Sequence, residues 1–570
     1  MWTDLPPFGA LFAGALAAAV TRGAVRKAVL LLAPVLGALH LMGLADGTRV
    51  ELEVLGYSLV PVEVDRMSLL FGYLFHLAAL IGNLFALHLG REDRATTQHT
   101  AAMLYAGSAV GAVFAGDLIS LFVFWELLAL TSAFLIWVRG EPKATRPGFR
   151  YLGVHILSGV LLLSGALVRA NTSGGSVSFG HIGLDGSLGA WLILLAFGIK
   201  AAFPLLHTWL TDAYPEGTPT GTVFLSAFTT KVAVYALARG FAGTEMLIYV
   251  GAVMTCFPIF YAVIENDLRR VLGYSMINQI GFMVTGIGIG TALAVNGAVA
   301  HAFTDVIFKG LLFMTMGSVL YMTGRINGSD LGGLHRTMPI TAGLCMVGAA
   351  SISAFPLFSG FVSKSMVMAA TLEAGHLWVW PALLFASAGV FHHAGIKIPY
   401  FAFFGHDSGI RTTEPPGNML AAMFIAATLC IVIGVFPEQT LYRLLPYSTG
   451  YNPYDATHVL TQVQLLFFGA LASVALQKTG IYPAELRAVH LDADWFYRRL
   501  APAVIRPLAA AMSRVDATVR AAALAVIGSG LRVAEGSRGP MRLLARSWPT
   551  GSMVLWVAVL LASYLLFHFI

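Results

Sequence analysis

The amino-acid sequence predicts an all-α polytopic membrane protein with about sixteen transmembrane helices. Of its 570 residues, 57% are hydrophobic and only 11% are charged, whereas a soluble domain carries about 25% charged residues. Apolar runs of membrane-spanning length recur from one end of the chain to the other. Five of the eight lysines lie inside these runs, where a charged side chain costs about 2.5 kcal/mol or more at the bilayer centre.

The individual spans follow from the length of the apolar runs, because about 17–25 residues of helix cross a bilayer. Such runs occupy residues 6–22, 26–45, 66–90, 98–115, 117–138, 149–169, 187–208, 218–241, 245–265, 271–290, 292–323, 338–372, 377–404, 418–437, 456–477 and 551–569. The run at 338–372 is too long for one straight span. The residues before the first run lack the basic character of a signal peptide, so this run is expected to remain as a span.

Charge placement predicts the orientation of these helices. Basic residues concentrate in alternate loops, namely Arg22, Arg26, Lys27, Arg91, Arg94, Arg139, Lys143, Arg146, Arg150, Arg269, Arg270, Arg325, Arg336 and Arg411. The positive-inside rule assigns these loops to the cytoplasm and places both termini outside, in a multi-pass protein of the cell inner membrane. On the outer side, the alternating sequence VELEVLGYSLVPVEV at 50–64 predicts a short β-hairpin.

The segment from about 481 to 550 carries many arginines among Ala, Leu and Val. Its nine arginines after Trp495 are Arg498, Arg499, Arg506, Arg514, Arg520, Arg532, Arg538, Arg542 and Arg546. This composition is typical of an amphipathic helix that lies along the cytoplasmic membrane interface. Pro502, Pro507 and Pro540 are expected to break this helix into pieces. The alternative is a cytoplasmic linker that only tethers a final span at 551–570.

Residues 188–241 read as two apolar helices joined by a polar turn, and each helix carries one buried lysine. Lys200 lies four residues before Pro204, which is expected to interrupt the first helix from inside. Glu126, near the middle of another span, is the carboxylate predicted to pair with Lys200. The alternative is an inert ion pair that fixes packing, although buried ion pairs are poor stabilisers. Lys231 lies midway along the second helix and is predicted to be a proton relay.

A stripe of titratable residues follows one face of the span at 292–323. His301, Asp305 and Lys309 are spaced four residues apart, which places all three on the same helix face. Such a stripe suits a proton wire or a cation site, because His titrates near neutrality and Asp binds hard cations. A salt bridge within the helix is the alternative.

Two further lysines complete the predicted set. Lys364 follows a stretch rich in Pro, Gly and Ser, which predicts a helix break beside a translocation residue. Lys397 lies closer to the cytoplasmic end of its run, so its ammonium could equally extend to the membrane interface. His155 and the Asn278–Gln279 pair are each as consistent with satisfied polar groups as with members of a proton path.

The two halves of the chain show a weak internal symmetry. Residues 117–241 contain a helix with a buried carboxylate and then a Pro-interrupted helix with a buried lysine. Residues 271–404 contain a helix with buried polar residues and then a second interrupted helix with a buried lysine. Paired interrupted spans of this kind are typical of inverted repeats around sites at the membrane midplane.

The sequence offers no motif for redox, hydrolytic, cofactor-binding or nucleic-acid chemistry, and no segment predicts a soluble catalytic domain. Cys256, Cys345 and Cys430 lie singly in apolar runs without ligand spacing, so neither a metal site nor a cofactor is expected. Whether the chain belongs to an enzyme complex stays open, because any redox centre would lie in partner subunits.

Five motifs have the same order and character as in one known family, namely GIKAAFPLLHTWLTDAYPEGTPTG, ENDLRRVLGYSMINQIGFM, HAFTDVIFKGLLFM, GGLHRTMP and PLFSGFVSK. Over about residues 50–440 the chain resembles the antiporter-like subunits of respiratory complex I and of multi-subunit Mrp-type cation/proton antiporters. The stretches TGTVFLSAFTTKVAVYALARGF and HHAGIKIPYFAFFG favour the D-type subunit of the Mrp Na⁺/H⁺ antiporters.

The resemblance implies about 14 core transmembrane helices in two inverted five-helix repeats with discontinuous helices. The amphipathic segment and final span that follow resemble the lateral-helix ending of the distal antiporter-like subunit of complex I, which is less expected for a short D-type subunit. The implied regions are N-terminal helices with an external hairpin at 1–97, antiporter repeats at 98–241 and 242–404, C-terminal helices at 405–480, the lateral segment at 481–550 and the anchor at 551–570. The family's ion-pair glutamate corresponds to Glu126, its partner lysine to Lys200, its connecting lysine to Lys231, its histidine to His301 and its terminal lysine to Lys364.

One departure from the family pattern concerns the coupled ion. Asp305 stands where many relatives carry a second histidine. A carboxylate there could favour a Na⁺ site or simply pair with Lys309.

The leading hypothesis is that the chain moves H⁺ as part of a hetero-oligomeric membrane complex, with Na⁺ as a candidate exchange ion. Protons would enter through the Lys231/His301 region and leave near Lys364. The full set of predicted translocation residues is Glu126, Lys200, Lys231, His301, Asp305, Lys309, Lys364 and Lys397. One alternative is a proton-pumping member of a redox-driven complex such as a hydrogenase or a formate or quinone oxidoreductase. Another is a structural role in which the basic tail braces other subunits or binds anionic lipid.

Overall fold

The computed structural model describes residues 5–54, 56–90, 94–172, 174–481, 491–536 and 549–569. The chain divides into two compact units, Met1–His490 and Leu491–Ile570. The first unit contains the predicted translocation residues, and the second contains the arginine-rich segment and the last apolar run.

The first unit begins with six helices and one hairpin. The helices are α1 (Gly9–Val20), α2 (Gly23–Met42), α3 (Arg66–Ala86), α4 (Ala95–Phe114), α5 (Leu118–Trp137) and α6 (Pro142–Thr172). The predicted hairpin is confirmed, because β1 (Arg49–Val54) pairs antiparallel with β2 (Tyr57–Glu63). Asp65 and Asp117 begin α3 and α5 by accepting hydrogen bonds from backbone N–H groups of the first turn.

Two spans are interrupted at the same four-residue sequence, Ala-Phe-Pro-Leu. The first copy, at 202–205, separates α7 (Leu188–Lys200) from α8 (Thr208–Ala213), and the second copy, at 354–357, separates α14 (Pro339–Ile352) from α15 (Ser359–Glu373). In both copies the Ala and the Leu adopt left-handed backbone, with φ of 61° and 69° in the first and 57° and 74° in the second. Since such backbone costs about 1–2 kcal/mol at each non-glycine residue, the surrounding packing must enforce both breaks.

This geometry changes one expectation and confirms another. Pro204 lies between α7 and α8, so the expectation that it interrupts a helix from inside is wrong. The left-handed Ala202 ends the helical path before the proline is reached. The run at 338–372 is divided into two helices, as its length requires.

The remaining helices of the first unit include further irregular spans. They are α9 (Gly221–Ala227), α10 (Thr229–Phe241), α11 (Met246–Ile264), α12 (Leu268–Ile289), α13 (Ala292–Thr323), α16 (Val379–Val390), α17 (Gly417–Val435) and α18 (Ala456–Lys478). A distorted residue, Phe228, separates α9 from α10. After α16 the chain continues in two π-helical segments, Phe391–Lys397 and Tyr400–Phe404, a geometry that often occurs at functional sites.

Helix α13 is the centre of the first unit. It packs against α12, α14, α15 and α17, and it also contacts α9 and α10. Its residues from Ala294 to Val319 are buried without interruption. The titratable stripe on α13 therefore faces protein on every side, and each of its side chains needs a polar partner from a neighbouring helix.

Within residues 491–536 and 549–569, the second unit forms the helices α19 (Ala501–Gly536) and α20 (Thr550–Phe569) and a π-helical turn at Phe496–Leu500. The expectation that prolines break the arginine-rich segment is wrong for Pro502 and Pro507. Pro502 follows the π-helical turn at Phe496–Leu500 without a break in the helical path, and α19 continues through Pro507. Pro540 lies outside the described residues.

The multi-pass fold predicted from the sequence is confirmed. Within the described residues, eleven helical segments are long and apolar enough to cross a membrane, and α1, α7 and α14 are shorter apolar helices. The two other predicted spans are α4 and α12, which are long enough but carry polar side chains such as Gln98 and Arg269. All sixteen predicted spans are thus helical in the structure.

Candidate functional site

The five lysines of the predicted spans are all buried in the structure. Their exposed fractions do not exceed 2%, and they are Lys200, Lys231, Lys309, Lys364 and Lys397. Because an ammonium group away from water needs acceptors, the partner of each lysine indicates what it does. Four of the five donate a hydrogen bond to a backbone carbonyl oxygen, and three of these oxygens lie near the end of a helix.

Lys231 and Asp305 form an ion pair in the centre of the first unit. The Nζ of Lys231 lies 2.6 Å from Oδ2 of Asp305, and both side chains are fully buried. Lys231 also donates to the backbone oxygen of Ser226 at 3.2 Å, which the interruption at Phe228 leaves without its usual helical partner. The break between α9 and α10 therefore helps to hold the ammonium against α13.

This pair corrects the expected partner of Asp305. The sequence leaves open a salt bridge between Asp305 and Lys309 on the same helix, but the Nζ of Lys309 donates to Oγ of Ser275 at 2.8 Å. The carboxylate of Asp305 instead reaches the lysine of α10. An i,i+4 spacing permits a pair without requiring it, and the contact with α10 supplies a closer partner.

His301 connects three helices through its two ring nitrogens. Its Nε2 lies 3.0 Å from Oε1 of Gln279 on α12, and its Nδ1 lies 3.0 Å from Oγ of Ser363 on α15. The amide of Gln279 donates in turn to Oδ1 of Asn278. Since the amide oxygen of Gln279 can only accept, Nε2 carries a proton, and Nδ1 can accept from the hydroxyl or donate to it. His301 can therefore exchange a proton on the side of Ser363.

Lys364 lies at the second helix break. Its Nζ donates to the backbone oxygen of Ile352, the last residue of α14, at 3.2 Å, and lies 5.0 Å from the ring centroid of Phe282. The end of α14 leaves carbonyl groups without helical partners, and these groups favour a cation. Ser363, which contacts His301, directly precedes Lys364. The start of α15 thus carries Ser363, which contacts His301, and Lys364 side by side.

Glu126 and Lys200 do not form the direct ion pair that the sequence predicts. The Nζ of Lys200 donates to the backbone oxygen of Trp125 at 2.5 Å and lies 4.4 Å from the centroid of its ring. The Oε1 atom of Glu126 is buried without a hydrogen-bond partner, and a Cβ placed on Gly159 would collide with it. The carboxylate therefore points towards α6.

A histidine that the sequence left undecided lies beside Lys200. His155 on α6 is fully buried, and its ring centroid lies 4.2 Å from that of Tyr151 and 4.4 Å from that of Trp209. Neither ring nitrogen has a hydrogen-bond partner, and the imidazole lies within electrostatic range of Lys200. The i,i+4 spacing of Tyr151 and His155 is the sequence signal that places both rings on one helix face.

Hydroxyl groups continue from this histidine towards Lys231. The Oη of Tyr151 lies 2.8 Å from Oγ of Ser132 and 3.5 Å from Oγ1 of Thr229. Thr229 also bonds the hydroxyl of Tyr105 at 2.6 Å and precedes Lys231 by two residues in α10. Sequence reasoning missed both tyrosines, because a buried tyrosine in an apolar run gives no signal separate from packing. The structure makes them a polar connection between the two lysines of 188–241.

Lys397 has a different environment. Its Nζ donates to the backbone oxygens of Ala262 at 3.3 Å, Val263 at 2.6 Å and Glu265 at 2.6 Å, at the end of α11. These are the carbonyl groups that a helix end leaves without partners. Lys397 is buried, and its ammonium is enclosed by these carbonyl groups. Its contacts are those of a residue that caps α11.

A polar cavity of about 490 Å³ lies at the ends of α4 and α13 and the start of α9. Its lining includes Gln98, Thr218 and Thr220, and Gln98 donates to the hydroxyl of Thr220 and accepts from that of Thr218. Thr220 directly precedes α9, the helix whose Ser226 carbonyl binds Lys231. Water in this cavity would therefore lie one short helix away from the ion pair.

Comparison with known proteins places this geometry in context. The family model described as "NADH:quinone oxidoreductase/Mrp antiporter, TM" matches residues 115–391, which include the lysines at 200, 231, 309 and 364. The D-type subunit of the Na⁺/H⁺ antiporter of Alkalihalophilus pseudofirmus is 30% identical over 352 residues, which are 58% of this chain and 70% of that protein.

Two other similarities extend the comparison. The A/B-type subunit of a probable K⁺/H⁺ antiporter of Rhizobium meliloti is 31% identical over 402 residues, which are 65% of this chain, and the chain spans only 40% of that longer protein. A chain of the archaeal membrane-bound sulfane sulfur reductase, a respiratory membrane complex, has the same fold with a TM-score of 0.72. That similarity covers 98% of this chain and 99% of the archaeal chain at 22% identity.

Proposed function

The chain belongs to the family of membrane subunits that NADH:quinone oxidoreductases and Mrp antiporters share, and we propose that it conducts protons in exchange for a monovalent cation within a multi-subunit complex. The observation that carries this proposal is the fully buried pair of Lys231 and Asp305. Buried ion pairs stabilise a fold less well than apolar residues of similar volume. A pair in the middle of five buried lysines is therefore better explained by translocation than by packing.

The proposed exchange follows from charge balance at Asp305. When the ammonium of Lys231 loses its proton, the carboxylate of Asp305 remains without a counter-charge in a water-poor interior, which is costly. A proton or a Na⁺ ion that arrives at Asp305 removes this cost. Because the ammonium and the incoming cation compete for one carboxylate, binding of the cation promotes release of the proton from Lys231.

The proposed path runs along the buried polar groups described above. Protons enter from the cavity beside Thr220 and reach Lys231. They then move by way of His301 and Ser363 to Lys364, with Lys309 as a neighbouring titratable group. The change between two arrangements of Glu126 and Lys200, transmitted through His155 and the tyrosine hydroxyls, alters the affinity of Lys231 for its proton.

The remaining assignments concern placement and partners. We place the protein in the cell inner membrane with both termini outside, in accordance with the distribution of arginines, and α19 along the cytoplasmic interface. We take 98–241 and 242–404 as the two antiporter repeats, and the shared Ala-Phe-Pro-Leu breaks at 202–205 and 354–357 support this division. Other membrane subunits of the same complex are the proposed partners, as they are for the subunits that this chain resembles.

The test is ion exchange by the purified complex in sealed vesicles. A Na⁺ or K⁺ gradient should drive proton movement, followed with a pH-sensitive dye, and replacement of Lys231 by Met should abolish it without loss of the other subunits from the purified complex. Proton movement that requires a redox substrate and ignores both gradients would favour the second candidate, a redox-driven pump. The observation that favours this candidate is the shared fold with a chain of a sulfane sulfur reductase, which covers 98% of this chain.

A further inference from the structure

A second cavity, of about 80 Å³, lies between Lys364 and the start of α18. Residues of α15, α16 and α18 line it, and they include Ser365, Thr461 and Gln462 as well as Lys364 and His458. A cavity needs about 10–15 Å³ of such space for one water molecule. This one therefore has room for several waters between the lysine and the histidine.

The inner end of this cavity is fixed at the end of α14. Lys364 donates to the backbone oxygen of Ile352, and the side-chain amide of Gln462 donates to that of Ser353 at 2.9 Å. The carbonyl groups of Ile352 and Ser353 at the end of α14 thus bind side chains of α15 and α18, respectively. Because Gln462 on α18 is held in this way, Thr461 and His458, which precede it, have fixed positions along the cavity wall.

The outer end carries a histidine–carboxylate pair. The Nδ1 of His458 lies 2.5 Å from Oδ2 of Asp455, and the two side chains are 27% and 46% exposed. The carboxylate of Asp455 also accepts the backbone N–H of His458 at 2.7 Å and begins α18. That N–H lowers the pKa of Asp455, so the carboxylate stays ionised and can accept a hydrogen bond from Nδ1 of His458. Exposure decreases from this pair inward to Lys364, which is 1% exposed.

We propose that this cavity is the outlet for protons from Lys364, and that His458 transfers each proton to the outer solution. The ammonium of Lys364 gives a proton to cavity water, and that water gives a proton to Nε2 of His458. The imidazolium then forms beside Asp455 and releases the proton outside, which restores neutral His458. This assignment rests on the proposed function, in which Lys364 is the last lysine of the path.

Thiol labelling tests the route. In a chain whose three native cysteines are replaced by Ser, Thr461→Cys should react with a membrane-impermeant thiol reagent added from outside, and the reaction should lower proton flux about tenfold. Leu460→Cys is the matched control, since this neighbouring side chain is 59% exposed and does not line the cavity. Reaction at Thr461→Cys that leaves flux unchanged, or that occurs only from the cytoplasmic side, would overturn the outlet.

A substitution tests the transferring residue. His458→Gln should lower flux about tenfold or more, because general acid–base groups typically contribute factors of this size or larger. His376→Gln, outside the cavity lining, should leave flux unchanged. Normal flux in His458→Gln while Lys364→Met is inactive would refute the role of His458 and leave the proposed function standing. Normal flux in Lys364→Met would refute the proposed function as well.

Discussion

Replacement of Asp305 by Asn removes the carboxylate charge that faces Lys231 and leaves the size of the side chain almost unchanged. The Nζ of Lys231 lies 2.6 Å from Oδ2 of Asp305, and its second acceptor is the carbonyl of Ser226. Neither this carbonyl nor the new amide carries a full negative charge. We therefore expect Asp305→Asn to favour the neutral amine of Lys231 and to stop proton exchange.

The size of this effect follows from the burial of the pair. Removal of one partner from a buried ion pair typically costs about 3–5 kcal/mol, and about 1.4 kcal/mol corresponds to a factor of ten. The ratio of charged to neutral Lys231 should therefore fall by about two to three orders of magnitude. Cation-driven proton flux in vesicles that contain the assembled complex should fall to the background of empty vesicles. Because a neutral Lys231 leaves no unpaired charge in the interior, the variant should lose little stability. Its melting temperature should stay near that of the unaltered complex while the flux is lost.

A charge-free double variant separates transport from stability. Lys231→Met with Asp305→Leu replaces the pair by apolar side chains, which is often neutral or stabilising in a protein interior. This variant should keep the melting temperature near that of the unaltered complex and should still be inactive. Asp305→Glu should recover part of the flux that Asp305→Asn loses. Flux in the double variant, or undiminished flux in Asp305→Asn, would refute the role of the pair.

Four other substitutions test residues that lie beside the path from Lys231 to Lys364. Glu126→Ala or Lys200→Ala should abolish flux while the complex still assembles, and normal flux in either variant would contradict the assignment. Gly159→Ala should reduce flux several-fold, because its methyl group would collide with Oε1 of Glu126 in its present position. Lys397→Met removes three hydrogen bonds to carbonyl groups at the end of α11, so it should lower the free energy of unfolding by about 3 kcal/mol and leave flux per assembled complex within about twofold. A stable but inactive Lys397→Met complex would instead make this lysine a translocation residue.

Much of the fold could be predicted from the sequence, because spanning helices have a simple physical signature. A bilayer requires a length of apolar helix and satisfied backbone groups, and both appear as hydropathy. The hairpin at 50–64 was visible for a similar reason, since its side chains alternate in polarity. Burial of the five lysines followed from their positions in the apolar runs. These properties depend on local sequence and on the solvent around it.

The partners of the buried charges could not be predicted in this way. Asp305 is four residues from Lys309, but the break at Phe228 brings Lys231 closer. Lys200 binds the backbone of Trp125 although Glu126 is the next residue. Such choices depend on distances between helices that are remote in sequence. Hydropathy also does not reveal that the ammonium of Lys397 reaches the end of α11.

One missed signal was present in the sequence itself. The repeated Ala-Phe-Pro-Leu at 202–205 and 354–357 marks both helix breaks, and each copy has the same left-handed residues. The proline alone suggests an interrupted helix, which led to the wrong position for Pro204. The left-handed backbone of Ala and Leu is unfavourable in isolation, so only the packed structure shows where each helix ends.

The central claim is that Lys231 must release and regain a proton. Replacement of Lys231 by Arg tests this claim most directly. Arginine keeps the positive charge and can pair with Asp305, but its guanidinium stays protonated at any pH that the protein experiences. Proton flux through the purified complex in vesicles should be abolished by Lys231→Arg, with assembly and melting temperature retained. Flux at the level of the unaltered complex would show that a fixed charge is enough at this position, and would contradict a proton relay through Lys231.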